Sequence, residues 1–355
     1  MKILYIITGL GLGGAEKVVC DLADQMILKG HDVKIVYLTG SVLVKPVSSR
    51  VELLPLHLNS ASNIFSASRK YKKIIRDFSP DVVHSHMIHA NIFARLNHLS
   101  FKYVRLICTA HNSNEGGKLR MMAYRLTNFL SDFNTNVSKE ATESLISKGA
   151  FNHKNLATVY NGIDLSKFIF LNKDINSNEL SFLSVGRFNA QKDYPNLLHA
   201  IAIFRQNPQH KEYILKIAGD GELRPQIEEL IEHLGLKNNV TLLGRRNDIP
   251  QLMQEADFFI LPSAYEGFGL VVAEAMACGA FVIATNSGGV AEVMGDTGIL
   301  VPPQDSKALA EAIKQAVSKT PLEIQENNLK ARQRVEELFS LENSVQNWLE
   351  LYEQN

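Results

Sequence analysis

The stretch TGLGLGGAEKVV, Thr8 to Val19, lies between an apolar run, Ile3 to Ile7, and a helical pattern from Ala15 to Lys29. Gly9, Gly11 and Gly14 spell G-x-G-x-x-G, a turn that joins a parallel strand to its crossover helix. In a dinucleotide site the next strand ends in an Asp or Glu that takes the ribose hydroxyls. Here that strand, Val33 to Leu38, ends in Thr39-Gly40-Ser41, and Asp32 precedes it. Without the acidic partner the nicotinamide reading loses its support. Two roles stay open for the glycines: a tight turn, or backbone N–H groups facing an anion at a helix N-terminus.

A chain of 355 residues supports about two domains with full cores. Its composition, 45% hydrophobic and 21% charged, suits a soluble globular protein. The first apolar run is too short for a signal-peptide core, and no run approaches the roughly 18 residues of a membrane span. Cys20, Cys108 and Cys278 lie far apart among apolar neighbours, which disfavours zinc and disulfides and fits a reducing cytosol. The zero net charge hides an asymmetry. Residues 1–165 hold 20 Lys and Arg against 12 Asp and Glu, and residues 166–355 hold 17 against 25. Opposite balances point to a different partner for each half.

Strand-like runs alternate with amphipathic stretches through the first half. The strands are expected at Lys2–Thr8, Val33–Leu38, Val51–Leu54, Val82–Ser85, Val104–Thr109, Phe133–Asn136 and Ala157–Tyr160. Helices are expected at Ala15–Lys29, Ser66–Asp77, Ala90–His98, Leu119–Leu130 and Lys139–Lys148. The alternation restarts at Ser181–Val185, after a polar stretch at Asp164–Glu179 that reads as a linker. The expected fold is α/β, with two Rossmann-like doubly wound domains at 1–165 and 166–340. Ligands then belong in a central cleft at the carboxyl ends of the strands. In 341–355, Val345, Trp348, Leu349 and Tyr352 share one helical face and are expected to pack back on the first domain.

Polar residues gather where strands are expected to end. His111 follows Val104–Thr109, and His84, His86 and His89 crowd the end of Val82–Ser85. Arg187 and Lys192 lie on the loop after the first strand of the second domain, as suits a diphosphate. Asp220 sits in a glycine turn and reads as a helix cap. The densest stretch is LPSAYEGFGLVVAEAMACG, Leu261 to Gly279. Its Glu274 lies in an otherwise apolar helix and so requires a partner, either a sugar hydroxyl or an arginine. The N–H groups of Gly267, Phe268, Gly269 and Leu270 form an anion site beside it.

Glu266 and Glu274 form E-x7-E, flanked by PS..EGFG and EAMACG. With G-G-A-E at Gly13–Glu16, NGID at Asn161–Asp164, VGR....K at Val185–Lys192 and LLG at Leu242–Gly244, the chain resembles the retaining GT-B glycosyltransferases of family 4. The match runs from Leu4 to about Pro302. The resemblance implies that Gly13 and Gly14 approach the donor diphosphate and that Arg187 and Lys192 neutralise it as it leaves. It implies that Glu274 holds the ribose, Glu266 touches the sugar hydroxyls, His111 lies at the reacting sugar, and Arg245 to Asp248 lie near the base. It further implies a UDP- or GDP-sugar donor, a glycan or lipid-linked acceptor, no metal and no separate cofactor. Leaving-group charge would be met by fixed cations and a helix N-terminus, with Glu266 positioning rather than attacking. A non-catalytic sugar-nucleotide-binding subunit, or another GT-B enzyme such as an epimerase, is the competing reading. No partner nucleic acid is expected. The cations Arg69, Lys70, Lys72, Lys73 and Arg76 flank an apolar stripe of Tyr71, Ile74, Ile75 and Phe78, a pattern that fits either a helix whose stripe packs on its own sheet or an anionic membrane surface at the cytoplasmic face.

Overall fold

The computed structural model describes residues 1–112, 117–151, 156–173, 179–206 and 212–354, apart from the Lys118 side chain. Two compact units divide the chain: Met1–Gly162 with Leu341–Asn355, and Ile163–Ser340. The first boundary falls three residues before the expected one.

In the first unit β1 (Lys2–Ile7) passes through the glycine turn into α1 (Gly14–Leu28). Then come β2 (Asp32–Tyr37), β3 (Glu52–Pro55), α2 (Ile64–Phe78), β4 (Val82–His86), α3 (Ile88–His98) and β5 (Arg105–Ala110). α4 (Gly117–Thr127), β6 (Phe133–Asn136), α5 (Lys139–Ser147) and β7 (Leu156–Thr158) complete the run. The sheet is parallel, in the order β3-β2-β1-β4-β5-β6-β7, so its direction of growth reverses between β1 and β4. Ile7 is paired with His86 there. Such a reversal leaves a crevice beyond the strand ends.

α2 decides between the two readings of its apolar stripe. Its Tyr71 and Ile75 are buried against the sheet and Phe93 of α3, with Ile74 and Phe78 at the margin of the same core. The apolar stripe is internal, because it covers an otherwise open sheet face. Arg69, Lys70, Lys73 and Arg76 stay exposed, and Lys72 is half-buried.

The second unit contains β8 (Glu179–Val185), α6 (Tyr194–Arg205), β9 (Glu212–Ala218), α7 (Arg224–His233), β10 (Val240–Gly244) and α8 (Ile249–Glu255). β11 (Phe258–Leu261), α9 (Leu270–Cys278), β12 (Phe281–Thr285), α10 (Val290–Met294), β13 (Ile299–Val301), α11 (Ser306–Val317) and α12 (Pro321–Phe339) follow. Its parallel sheet runs β10-β9-β8-β11-β12-β13. The expected linker is largely part of this unit. Lys167 and Phe168 donate backbone N–H groups to the Asp164 carbonyl, and Leu171 donates to that of Cys278. Residues 174–178 of that stretch lie outside the described residues.

α13 (Leu341–Glu353) returns to the first unit and packs on α1. Val345, Trp348, Leu351 and Tyr352 are buried. Leu351 takes the place expected for Leu349, which is half-exposed. The Tyr352 hydroxyl lies 2.6 Å from His84 Nδ1 and 3.3 Å from the Tyr5 hydroxyl. His84 Nε2 is 2.6 Å from Thr109 Oγ1, itself 2.6 Å from Thr135 Oγ1. One buried chain of hydrogen bonds thus links β1, α13, β4, β5 and β6. Tyr352→Phe leaves His84 Nδ1 without its partner, at a cost of about 1–3 kcal/mol. Tyr352→Ala adds a cavity and costs about 3–5 kcal/mol. Urea unfolding checks both, and midpoints equal to wild type would refute the linkage.

Candidate active site

Two groups of polar residues meet the strand ends, one in each unit. In the second unit, Lys192 Nζ donates to Glu266 Oε1 at 2.6 Å, and Ser263 Oγ donates to the same oxygen at 2.7 Å. The loops that carry them are tied together. The Ala264 N–H donates to the Gln191 carbonyl at 2.8 Å, and Gln191 Nε2 donates to that of Tyr265 at 3.1 Å. Below, Thr285 Oγ1 donates to the Ser263 carbonyl at 2.6 Å. Gly288 packs so closely behind that, with φ +56°, its absent Cβ would fall 1.9 Å from the Glu266 carbonyl oxygen. Only glycine fits there.

The Lys192 and Glu266 side chains are 15% and 9% exposed. Lys192 is therefore not the solvated loop cation that a polar sequence suggests. Its removal strands a nearly buried carboxylate, and breaking such a pair is costly. Arg187 is exposed, 3.5 Å from Glu222. Gly267, Phe268 and Gly269 lead into α9, where Leu270 is the first helical residue and Gly269 caps it with φ +86°. Glu274 is buried one turn further on. Burial, then the Glu274 charge, push the Cys278 thiol up to about 12. Asp220 is not a helix cap, because α7 begins beyond it with Leu223 at the cap position. It accepts from the Gly221 N–H and lies 3.7 Å from both Arg224 and Arg245. Arg245, Arg246, Asn247, Asp248 and Gln251 line an open depression of about 430 Å³.

In the first unit Gly13 caps α1 with extended backbone. The Glu16 carboxylate folds over it, and a Cβ on Gly13 would lie 2.5 Å from Glu16 Oε2. An anion thus already faces this helix N-terminus, as the backbone dipoles favour. Gly14 begins the helix. At the other strand ends the histidines sort themselves. His84 belongs to the α13 contact, His89 is exposed, and His86 Nδ1 lies 3.0 Å from His111 Nε2. No sequence periodicity marks that contact, since it joins residues 25 apart, one at the end of β4 and one just past β5. Among the described residues no group of three His, Cys, Asp or Glu is placed to hold a metal ion. Residues 113–116, just after His111, lie outside the described residues.

Two family models match: Glycosyltransferase Family 4 over residues 12–167, and Glycosyl transferases group 1 over residues 166–335. An uncharacterised glycosyltransferase of Methanocaldococcus jannaschii is 31% identical over 277 residues, which cover 74% of this chain and 72% of that one. The chain belongs to the family 4 glycosyltransferases, with the GT-B fold. An N-acetylgalactosaminyltransferase of Campylobacter jejuni, named for a diphospho-undecaprenol-linked acceptor, is 27% identical over 88% of this chain and 89% of its own. The crystal structure of Anabaena HepE with UDP and glucose shares the fold at TM-score 0.84, with 23% identity and full coverage of both chains.

In this glycosyltransferase, burial lowers the proton affinity of His84 and His86 well below the ordinary 6.5, and that of His111 to about 4. These three histidines are therefore neutral in the native protein at pH 7, whereas an unfolded chain takes up protons at them below about 6.5. Stability is full above that pH and is lost as pH falls. His84 and His86 each contribute a slope approaching about 1.4 kcal/mol per pH unit. Urea midpoints at pH 7, 6 and 5 should fall steadily, and a flat series would contradict neutral burial.

Proposed function

We propose that this glycosyltransferase is a retaining, metal-independent hexosyltransferase that uses a UDP- or GDP-sugar. Its acceptor is a hydroxyl of a glycan or lipid-linked saccharide, in the synthesis of cell-surface polysaccharide or glycolipid. The observation that carries the donor reading is the Lys192–Glu266–Ser263 cluster, set in loops that also lead to the N-terminus of α9. The UDP and glucose bound to Anabaena HepE and the lipid-linked acceptor in the Campylobacter enzyme's name agree with it.

Each residue then has a task. Gly13, Gly14 and the α9 N-terminus at Gly267–Leu270 give backbone N–H groups to the diphosphate. Arg187 and Lys192 neutralise charge that grows on the leaving phosphate. Glu266 takes the sugar hydroxyls in place of Lys192, which swings to phosphate. Glu274 holds the ribose, Arg245 lies by the base, and His111 meets the transferred sugar. The leaving phosphate oxygen accepts the acceptor's proton on the same face of the sugar.

A thermal-shift panel of nucleotide sugars identifies the donor, since a ligand that binds the native state raises apparent stability. With that donor, Lys192→Gln keeps a hydrogen-bond donor for Glu266 while removing the charge. Transfer should slow by about two decades or more in a variant that still folds, with a lower urea midpoint because the nearly buried Glu266 carboxylate loses its countercharge. Turnover near wild type in the folded variant contradicts the assignment. A binding subunit without catalysis would instead shift with donor and never release free sugar from it.

The membrane reading moves with the structure. α2, α3 and α4 pack side by side, through Tyr71 on Phe93 and through Ile92 beside Tyr124. α2 exposes Phe65 with Arg69, Lys73 and Arg76 on one face. α4 and the turn after it expose Leu119, Met122, Leu126 and Phe129 along one stripe, with no acidic residue from Gly117 to Leu130. The proposed contact is this layer, lying on an anionic leaflet at the cytoplasmic side, where each basic residue contributes roughly 1 kcal/mol. Co-sedimentation with anionic but not neutral liposomes is expected. Changing Arg69, Lys70, Lys72 and Lys73 to Ser, or Leu126 and Phe129 to Ser, should weaken it. Wild-type protein that ignores anionic liposomes at low salt rules the contact out.

A further inference from the structure

We infer that His86 is a positioning residue that fixes which ring nitrogen of His111 carries the proton. His86 Nδ1 and His111 Nε2 are 3.0 Å apart, with ring centres separated by 5.3 Å. Two neutral imidazoles joined in this way share one proton, so one nitrogen donates and the other accepts. The far side of His86 decides which. Its Nε2 is buried and has no partner, and the ring is held there beside His84 at 4.0 Å and Tyr5 at 5.8 Å. A buried N–H without an acceptor is rarer than a buried lone pair without a donor. His86 therefore keeps its lone pair at Nε2 and its proton at Nδ1, from which it donates to His111 Nε2. His111 accepts there and holds its own proton at Nδ1. The hydrogen bond at one nitrogen sets the state of the other.

The importance of this for transfer rests on the proposed place of His111 at the sugar. A tautomer selected before the donor arrives is preorganised and needs no reorganisation during reaction. The proton position itself is a property of the protein without ligand, so it is tested there, independently of the sugar assignment.

Protein carrying ¹⁵N-labelled histidine is observed by two-bond ¹H–¹⁵N correlation, which distinguishes protonated Nδ1 from protonated Nε2. Both His86 and His111 should be protonated at Nδ1. In His86→Phe, which keeps a ring and removes the unpartnered nitrogen, His111 should become a mixture of tautomers. His86→Asn, whose amide N–H can take the place of Nδ1–H, should restore the single Nδ1–H form. A wild-type His111 protonated at Nε2 overturns the inference without any variant. An unchanged His111 spectrum in a folded His86→Phe protein overturns it as well.

Discussion

A parallel sheet covered on both faces has almost no place for polar side chains except the ends of its strands. Two central strands obey that constraint. Along β1 and β11 every residue from Ile3 to Ile7 and from Phe258 to Leu261 is buried and apolar or aromatic. β4 departs from it, carrying His84, Ser85 and His86 wholly buried where the sheet reverses direction. His84 is tolerable there because Tyr352 of α13 and Thr109 of β5 meet both its nitrogens, and His86 because His111 meets its Nδ1. The hydrogen bonds that satisfy them also place His111.

The two polar groups solve the problem of burying charge in different ways. Around Glu266 the negative charge is kept and matched, by Lys192 and Ser263, with Gly288 fixing the loop from behind. Around His86 no charge survives, since burial keeps the imidazoles neutral. The first arrangement suits a site that must trade one anion for another, and the second suits one that offers directed hydrogen bonds without electrostatic cost.

The alternation of apolar runs carried the fold class, because strand burial and helix amphipathicity are local properties of the chain. Phe133–Asn136 falls where that pattern puts it. α12 escaped it for a physical reason. Its buried positions, Ile324, Asn328, Ala331, Val335 and Phe339, form a narrow stripe with a polar and a small residue in it. Its start was nonetheless written in Thr320, Pro321 and Glu323, which form a capping box with proline in the first turn. The glycines and carboxylates of the second-unit cluster were legible as residue types at strand ends. The Lys192–Glu266 contact was not, since it joins residues 74 apart. Nor could the sequence separate His84, His86 and His89, whose roles are assigned by Tyr352, by His111 and by solvent respectively.

The docking of α13 on the first unit has a consequence for how the protein comes into being. The second unit is continuous, from Ile163 to Ser340, whereas the first needs Leu341 onward to finish its core. On the ribosome the strands of the first unit emerge early, yet Tyr352 reaches His84 only after the whole second unit has been synthesised. His84 and Tyr352 are 268 positions apart and Tyr5 and Tyr352 are 347 apart, so both contacts close long loops. The order of completion is therefore the reverse of the order of synthesis: the second unit can fold as a unit first, while β4 waits with its histidines uncovered. During that interval an incomplete apolar face is exposed, the condition in which a nascent chain depends most on a chaperone.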